Sequence, residues 1–168
     1  MSKETPLTIE LQHLDGYAFK VKFADAAGSE LLVDESPPLG EGKGPSPSQL
    51  LLTAVANCLS ASLLYCLYKA RHEPKDMRTR ASAEFVRNES GRLRIGHIQV
   101  TIDLDMATGS GTRIDRCIEL FEDFCVVTAS VRQGVPVTVT VHLGERLFMG
   151  TVRKTYRTRR IWRLRRNR

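Results

Sequence analysis

No arginine occurs before Arg71, so every lysine-or-arginine cation of the first seventy residues is Lys3, Lys20, Lys22, Lys43 or Lys69. Acids are missing from the opposite end. Residues 151–168 hold Arg153, Lys154 and seven further arginines with no Asp or Glu, a charge of +9. Residues 1–150 hold the other sixteen bases against nineteen acids and carry −3. The whole-chain +6 and the pI of 9.4 are therefore properties of the tail, and they do not make the body a nucleic-acid binder. Cysteine is sparse. Four in 168 residues are too few for a disulfide scaffold, and Cys58, Cys66, Cys117 and Cys125 form no CxxC. His13, His72, His97 and His142 lack ligand spacing, so no metal is expected. Gly40–Gly44 lacks the strand before it and the Lys-Ser/Thr after it that a phosphate loop needs, and there is no GxSxG elbow. No cofactor is expected. Met1–Glu10 has no apolar h-region, so no secretory leader is expected and a reducing cytoplasm is the expected compartment.

With 42% hydrophobic and 26% charged residues the composition is that of an ordinary globular chain, and the length suits one domain. Leu7–Leu11 and Tyr17–Phe23 alternate apolar and polar residues around Asp15-Gly16, which predicts a hairpin. Glu30–Asp34 follows, entered through Ala27-Gly28-Ser29, and then a Gly/Pro-rich loop over Ser36–Gly44. Thr79–Arg87 and Leu93–Asp105 predict a longer hairpin turning at Asn88–Gly91, with a loop at Thr108–Gly111 beyond it. Thr112–Phe124 has helical spacing, Val126–Arg132 a second helical piece, and Pro136–Leu143 reads as a last strand. The order β-β-β-α-β-β-α-α-β is an α+β domain over 1–150. Residues 151–168 form a basic tail outside it. A like-charge run of this kind reads as a disordered or accessory extension, with salt-dependent binding to an anionic partner as its functional use.

The helix before the longer hairpin is the most informative segment. Ser46, Pro47 and Gln49 make a capping box with a first-turn proline. From Leu50 to Leu67 no residue is charged and apolar residues point in every direction, so the helix is expected to be buried all round. A membrane span is the lesser reading, because Thr53, Asn57, Ser60 and Ser62 interrupt the run. Cys58 and Cys66 stand eight residues apart on this helix, and Cys117 and Cys125 repeat that spacing. Eight helical residues separate two Cα atoms by ~12 Å along the axis, beyond disulfide reach. An intrachain bridge must join the two segments, as 58–125 with 66–117 or as 58–117 with 66–125, and spacing does not choose. Cys66 and Cys117, set among leucines, tyrosine and isoleucine, read as small buried hydrophobes. Cys58 lies among Ala54, Ala56, Ser60 and Ala61, where another group could approach closely, and Cys125 stands at a helix break.

Gly44–Cys58 (GPSPSQLLLTAVANC) and Cys125–Val137 (CVVTASVRQGVPV) resemble the two cysteine motifs of the OsmC/Ohr family of peroxiredoxin-like thiol peroxidases. The resemblance covers roughly residues 8–143. It implies an intertwined α+β homodimer with a long central apolar helix from each chain, wrapped by antiparallel sheets. It also implies roles: Cys58 as the thiol that attacks an organic hydroperoxide, Cys125 as the thiol that resolves it, and hence a 58–125 pairing. An external dithiol would then reduce that disulfide, as part of an oxidative stress response.

The chain departs from the family pattern at one point. The family's thiolate is stabilised by an arginine from the N-terminal strands, which a glutamate holds. Here no such arginine exists, and Ser48 followed by Gln49 stands at the glutamate position. Lys43 and Arg132 are the candidate substitute cations. The departure supports an alternative, a catalytically weak or inactive OsmC-like dimer that binds a hydrophobic small molecule.

Overall fold

The computed structural model describes residues 7–24, 29–106, 112–135, 137–143 and 146–150. The Ala27-Gly28 approach to the third strand, the Thr108–Gly111 loop and the basic 151–168 tail lie outside them. The chain forms two compact units, Met1–Asn57 and Cys58–Arg168.

The first unit holds a three-stranded antiparallel sheet, β1 (Ile9–His13), β2 (Phe19–Phe23) and β3 (Glu30–Val33), in that order. The hairpin turns at Asp15-Gly16, where Gly16 takes φ +52°, a value that suits glycine. After β3 the chain folds around the Asp34 carboxylate. It accepts backbone N–H groups from Glu35, Glu41 and Lys43 at 2.8, 3.0 and 3.1 Å. The Lys43 N–H, joined by those of Glu41, Glu35 and Gly42, holds this carboxyl below its usual range. The glycines of the loop serve close approach: a Cβ on Gly40 would meet Asp34 and the Glu35 backbone, and one on Gly44 would meet the Leu32 carbonyl.

Helix α1 spans Pro47–Lys69. The capping box forms in both directions: Ser46 N–H donates to Gln49 Oε1 at 2.8 Å, and Gln49 N–H donates to Ser46 Oγ at 3.4 Å. At the far end Arg71 takes φ +62°, while His72 N–H donates to Leu67 O and Arg71 N–H to Tyr68 O. This is a Schellman ending, with the chain's first arginine where glycine is usual. Within one chain the burial of α1 is one-sided. A single stripe, Val55, Leu59, Leu63 and Leu67, is fully buried, while Tyr65 and Tyr68 are more than half exposed. The i, i+4 spacing puts these four residues on one face, and one chain supplies packing for that face alone. By length and composition α1 could cross a membrane, while Val55, Leu59, Leu63 and Leu67 along one face are covered by protein.

The second unit is built on a four-stranded sheet in the order β4-β5-β6-β7. The strands are β4 (Pro74–Arg87), β5 (Leu93–Met106), β6 (Val137–Leu143) and β7 (Arg146–Gly150); the last has no counterpart in the sequence reading. Strands β4 and β5 form the long hairpin, turning at Asn88–Gly91 with Gly91 at φ +72°. Ile98, Val100, Ile102 and Leu104 alternate along the buried face of β5. Strand β6 runs parallel to β5, so the chain must cross over between them. The crossover is helical: α2 (Thr112–Leu120), a 3-10 turn (Phe121–Phe124) and α3 (Val126–Val131). The expected helix to Phe124 therefore ends four residues early, and the tighter 3-10 turn leads directly into Cys125.

Candidate functional site

All four cysteines lie in the second unit. Cys58 is half-buried on α1, whose Ser60 hydroxyl sits 2.7 Å from that of Thr79 on β4. Cys125 is fully buried at the junction between the 3-10 turn and α3. Their sulfurs are 2.7 Å apart, both as free thiols, with Cys125 donating to Cys58. Cys66 on α1 and Cys117 on α2 form a disulfide, with Cα atoms 5.5 Å apart. Of the two pairings the spacing allows, the fold has 58 facing 125 and 66 bonded to 117. The reading of Cys66 and Cys117 as inert buried hydrophobes is corrected. The equal eight-residue offset on two antiparallel segments brings both sulfur pairs into register, a tertiary fact that each cysteine's neighbours in sequence do not carry.

Cys125 caps α3 with its side chain. Its backbone is extended (φ −82°, ψ 98°), and Sγ accepts from the Thr128 N–H at 3.4 Å. The Thr128 hydroxyl, fully buried, lies 3.0 Å from the same sulfur. One thiol proton cannot serve both Cys58 and Thr128, so with that proton on Cys58 the threonine hydroxyl is the donor to Cys125. Burial, and next the hydrogen bond to Cys58, push the Cys125 thiol above its ordinary value; Thr128 pulls the other way. Cys125 therefore keeps its proton at neutral pH.

A buried ion pair closes the segment around Cys125. Glu122 and Arg132 bond through Oε2 and Nη2, with side chains 9% and 18% exposed. The Cys125 N–H donates to the Glu122 carbonyl at 3.2 Å, and the Arg132 N–H to the Thr128 carbonyl at 2.9 Å. Thus Arg132, a candidate thiolate cation, is committed to Glu122, although its Nε is buried with no hydrogen-bond partner among the described residues. The sequence reading missed Glu122 and Thr128. Their signals were present: a threonine three residues after a candidate cap, and an acid and a base bracketing it.

The remaining predicted residues lie in the first unit. Lys43 pairs with Glu41 at 2.7 Å; that hydrogen bond raises its pKa, and its backbone N–H belongs to the Asp34 cradle. Gln49 is spent on the capping box, and Ser48 is half-buried in the first turn of α1. Among the described residues no group of three His, Cys, Asp or Glu is disposed to hold a metal. Asp103 joins His142 Nδ1 and Arg80 Nη2 at 2.7 and 2.6 Å across three strands, an open polar row remote in sequence from the thiols.

The long helix, the two sheets and a facing pair of free thiols, Cys58 on α1 and Cys125 on the helical crossover, define an α+β protein with two free cysteines brought together among the described residues. A sequence model of the family described as OsmC-like protein matches residues 40–140, more than half of the chain, which therefore belongs to that family. No curated protein matches the sequence. Among solved structures, the chain resembles an OsmC-like protein of unknown function from Vibrio cholerae with TM-score 0.70 and 16% identity, over 84% of this chain and 100% of that one. It resembles an organic hydroperoxide resistance protein from Elizabethkingia anophelis with TM-score 0.66 and 17% identity, over 86% and 100%. A third, the organic hydroperoxide resistance protein of Bacillus subtilis, matches with TM-score 0.57 and 18% identity, over 83% and 98%. At these identities the likeness is one of fold.

Proposed function

We propose that the protein is a cysteine-based hydroperoxide reductase of the cytoplasm, with Cys58 as the peroxidatic thiol and Cys125 as the resolving thiol. The observation that carries this reading is the 2.7 Å separation of two free sulfurs that come from different elements. The Cys58 thiolate attacks the terminal peroxide oxygen. The O–O bond breaks, the departing alkoxide takes a proton to leave as an alcohol, and Cys58 becomes a sulfenic acid. The Cys125 thiolate then attacks the Cys58 sulfur and expels hydroxide, which leaves as water, and an S–S bond forms. An external dithiol reduces that bond and returns both thiols. Phe124 and Val126, on either side of Cys125, are 62% and 76% exposed, an apolar surface suited to the alkyl part of an organic substrate. The names carried by the Elizabethkingia and Bacillus structures agree with this chemistry.

A second copy of the chain, covering the open faces of α1, completes the proposal; sedimentation of wild type against Tyr65→Glu tests that part. The alternative, an inactive dimer that binds a hydrophobic small molecule, draws support from the cations: Lys43 and Arg132 are each held by a glutamate. Consumption of cumene hydroperoxide with a dithiol reductant separates the two. Turnover that Cys58→Ser abolishes supports the enzyme. Thiols left unmodified after stoichiometric peroxide, judged by intact mass, support the binder.

A further inference from the structure

Two sulfur pairs join the same two stretches of chain, and only one of them is used by the proposed reaction. Moving along α1 from Cys58 to Cys66 advances eight residues; moving back from Cys125 to Cys117 also spans eight. The segments are thus antiparallel and pinned at two points ~12 Å apart. The Cys66–Cys117 bond fixes the Cα atoms of α1 and α2 at 5.5 Å. From Cys117 the chain has only the last turn of α2 and the 3-10 turn before it reaches Cys125. Ile114 and Ile118 of α2 and Phe121 of that turn are each buried, and the turn follows α2 without a break, so a shift of α2 carries Cys125 with it. In the reducing compartment expected for this chain, a disulfide is ordinarily catalytic or redox-sensing rather than a permanent staple.

We propose that Cys66–Cys117 is a redox-controlled tether that positions Cys125 against Cys58, so that its reduction slows closure of the Cys58–Cys125 disulfide. The proposal rests on the thiol reading given above for Cys58 and Cys125. Opening requires a dithiol. One of its thiolates attacks a tether sulfur, with access from the Cys66 side because Cys117 is buried and Cys66 only half-buried. The Cys66–Cys117 bond breaks, a mixed disulfide forms, and the second thiol of the reductant displaces it. Two electrons and two protons pass to the protein, which gains two thiols, while the reductant leaves as its own disulfide. With the tether open, Cys125 is less often in line, and the Cys58 sulfenic acid survives longer. A second hydroperoxide then oxidises it to the sulfinic acid and is itself reduced to an alcohol.

The test uses glutathione redox buffers and the full chain, so no peroxide enters the primary measurement. The effective concentration of Cys125 toward Cys58 is read from the ratio of the Cys58–Cys125 disulfide to the Cys58–glutathione mixed disulfide, by peptide mass, in wild type and in Cys66→Ala/Cys117→Ala. A fall of about tenfold in the double variant is expected. An unchanged ratio in a folded variant overturns the tether, as does finding Cys66 and Cys117 still free in oxidised glutathione. Should the variant lose its circular dichroism, wild type is titrated with dithiothreitol instead. The ratio must then drop over the same potential range in which Cys66–Cys117 opens, and a ratio indifferent to that opening overturns the proposal. A tether effect in glutathione with no peroxide turnover would sink the peroxidase reading and leave the tether standing. Turnover without a tether effect would do the reverse. Where both hold, the double variant also accumulates more Cys58 sulfinic acid per peroxide consumed.

Discussion

Cys125 donates its thiol proton to Cys58 across 2.7 Å, although 67 residues separate them in sequence. The direction of that bond divides the work. The donor is buried, which favours its neutral form, and the acceptor is only half-buried on the helix. Removing the donor should therefore stop the cycle after its first step. Cys125→Ser is expected to react once with cumene hydroperoxide and stop with one or more oxygens on Cys58. Intact mass reads this directly, and steady turnover in that variant would remove Cys125 from the mechanism.

The pH dependence follows from the raised Cys125 pKa. Burial leads and the bond to Cys58 adds, so the neutral thiol persists to higher pH than the ordinary 9.0. Closure needs the Cys125 thiolate, whose fraction grows roughly tenfold per pH unit below its pKa. The rate of disulfide closure should climb through neutrality and still be climbing past pH 9.0, by rapid quench and peptide mass. A plateau at lower pH would count against Cys125 as the attacking group. The same raised pKa contributes to stability below the unfolded-state value and loses that contribution as pH rises through the folded one.

Thr128 lowers the Cys125 pKa against the effect of burial, through a hydroxyl 3.0 Å away and a backbone N–H at 3.4 Å. Thr128→Val keeps the shape and removes the hydroxyl. Closure is expected to slow by about threefold to tenfold at neutral pH, the worth of one hydrogen bond. The attack of Cys58 on peroxide should not change. Equal slowing of both steps would mean that Thr128 acts on packing alone.

The Glu122–Arg132 pair is nearly buried and encloses the segment that carries Cys125. Glu122→Gln leaves the Arg132 charge buried without its partner, which costs about 3 kcal/mol. A fall in Tm is expected on thermal unfolding. The double variant Glu122→Leu/Arg132→Met should be more stable than the single one, since it leaves no uncompensated charge. If the single variant is as stable as wild type, the pair is not structural.

Phe124 and Val126 present apolar surface beside the buried thiol. Replacing each by serine should raise KM for cumene hydroperoxide by about threefold or more, on the scale of one buried apolar group, and leave KM for hydrogen peroxide little changed. Parallel changes for both substrates would mean that these side chains do not meet the alkyl group.

Much of this was legible in the chain because it depends on short-range rules. The period-2 alternation of Leu93–Asp105 and the Asn88–Gly91 turn mark the long hairpin, which the fold extends back to Pro74. Ser46, Pro47 and Gln49 mark the start of α1, and both capping bonds form. Strand β7 escaped because its pairing with β6 lies in the neighbour, not in its own pattern. The end of α2 escaped because helical spacing continues through Phe121 and Phe124 while the backbone tightens beneath it.

By itself, the sequence determined the element order as far as β6, the apolar helix, the two cysteine motifs and the shortage of arginine ahead of Cys58. These are properties of composition and local periodicity, fixed before any distant residues meet. Only the tertiary structure decided which sulfurs face one another, because eight-residue spacing permits two pairings and the antiparallel run of α1 against the crossover selects one. It also decided that Lys43 answers Glu41 and Arg132 answers Glu122, since a charge finds its partner through space. And it showed that α1, apolar on every side, buries one stripe within a single chain, because the area one chain supplies is enough for one face of a helix.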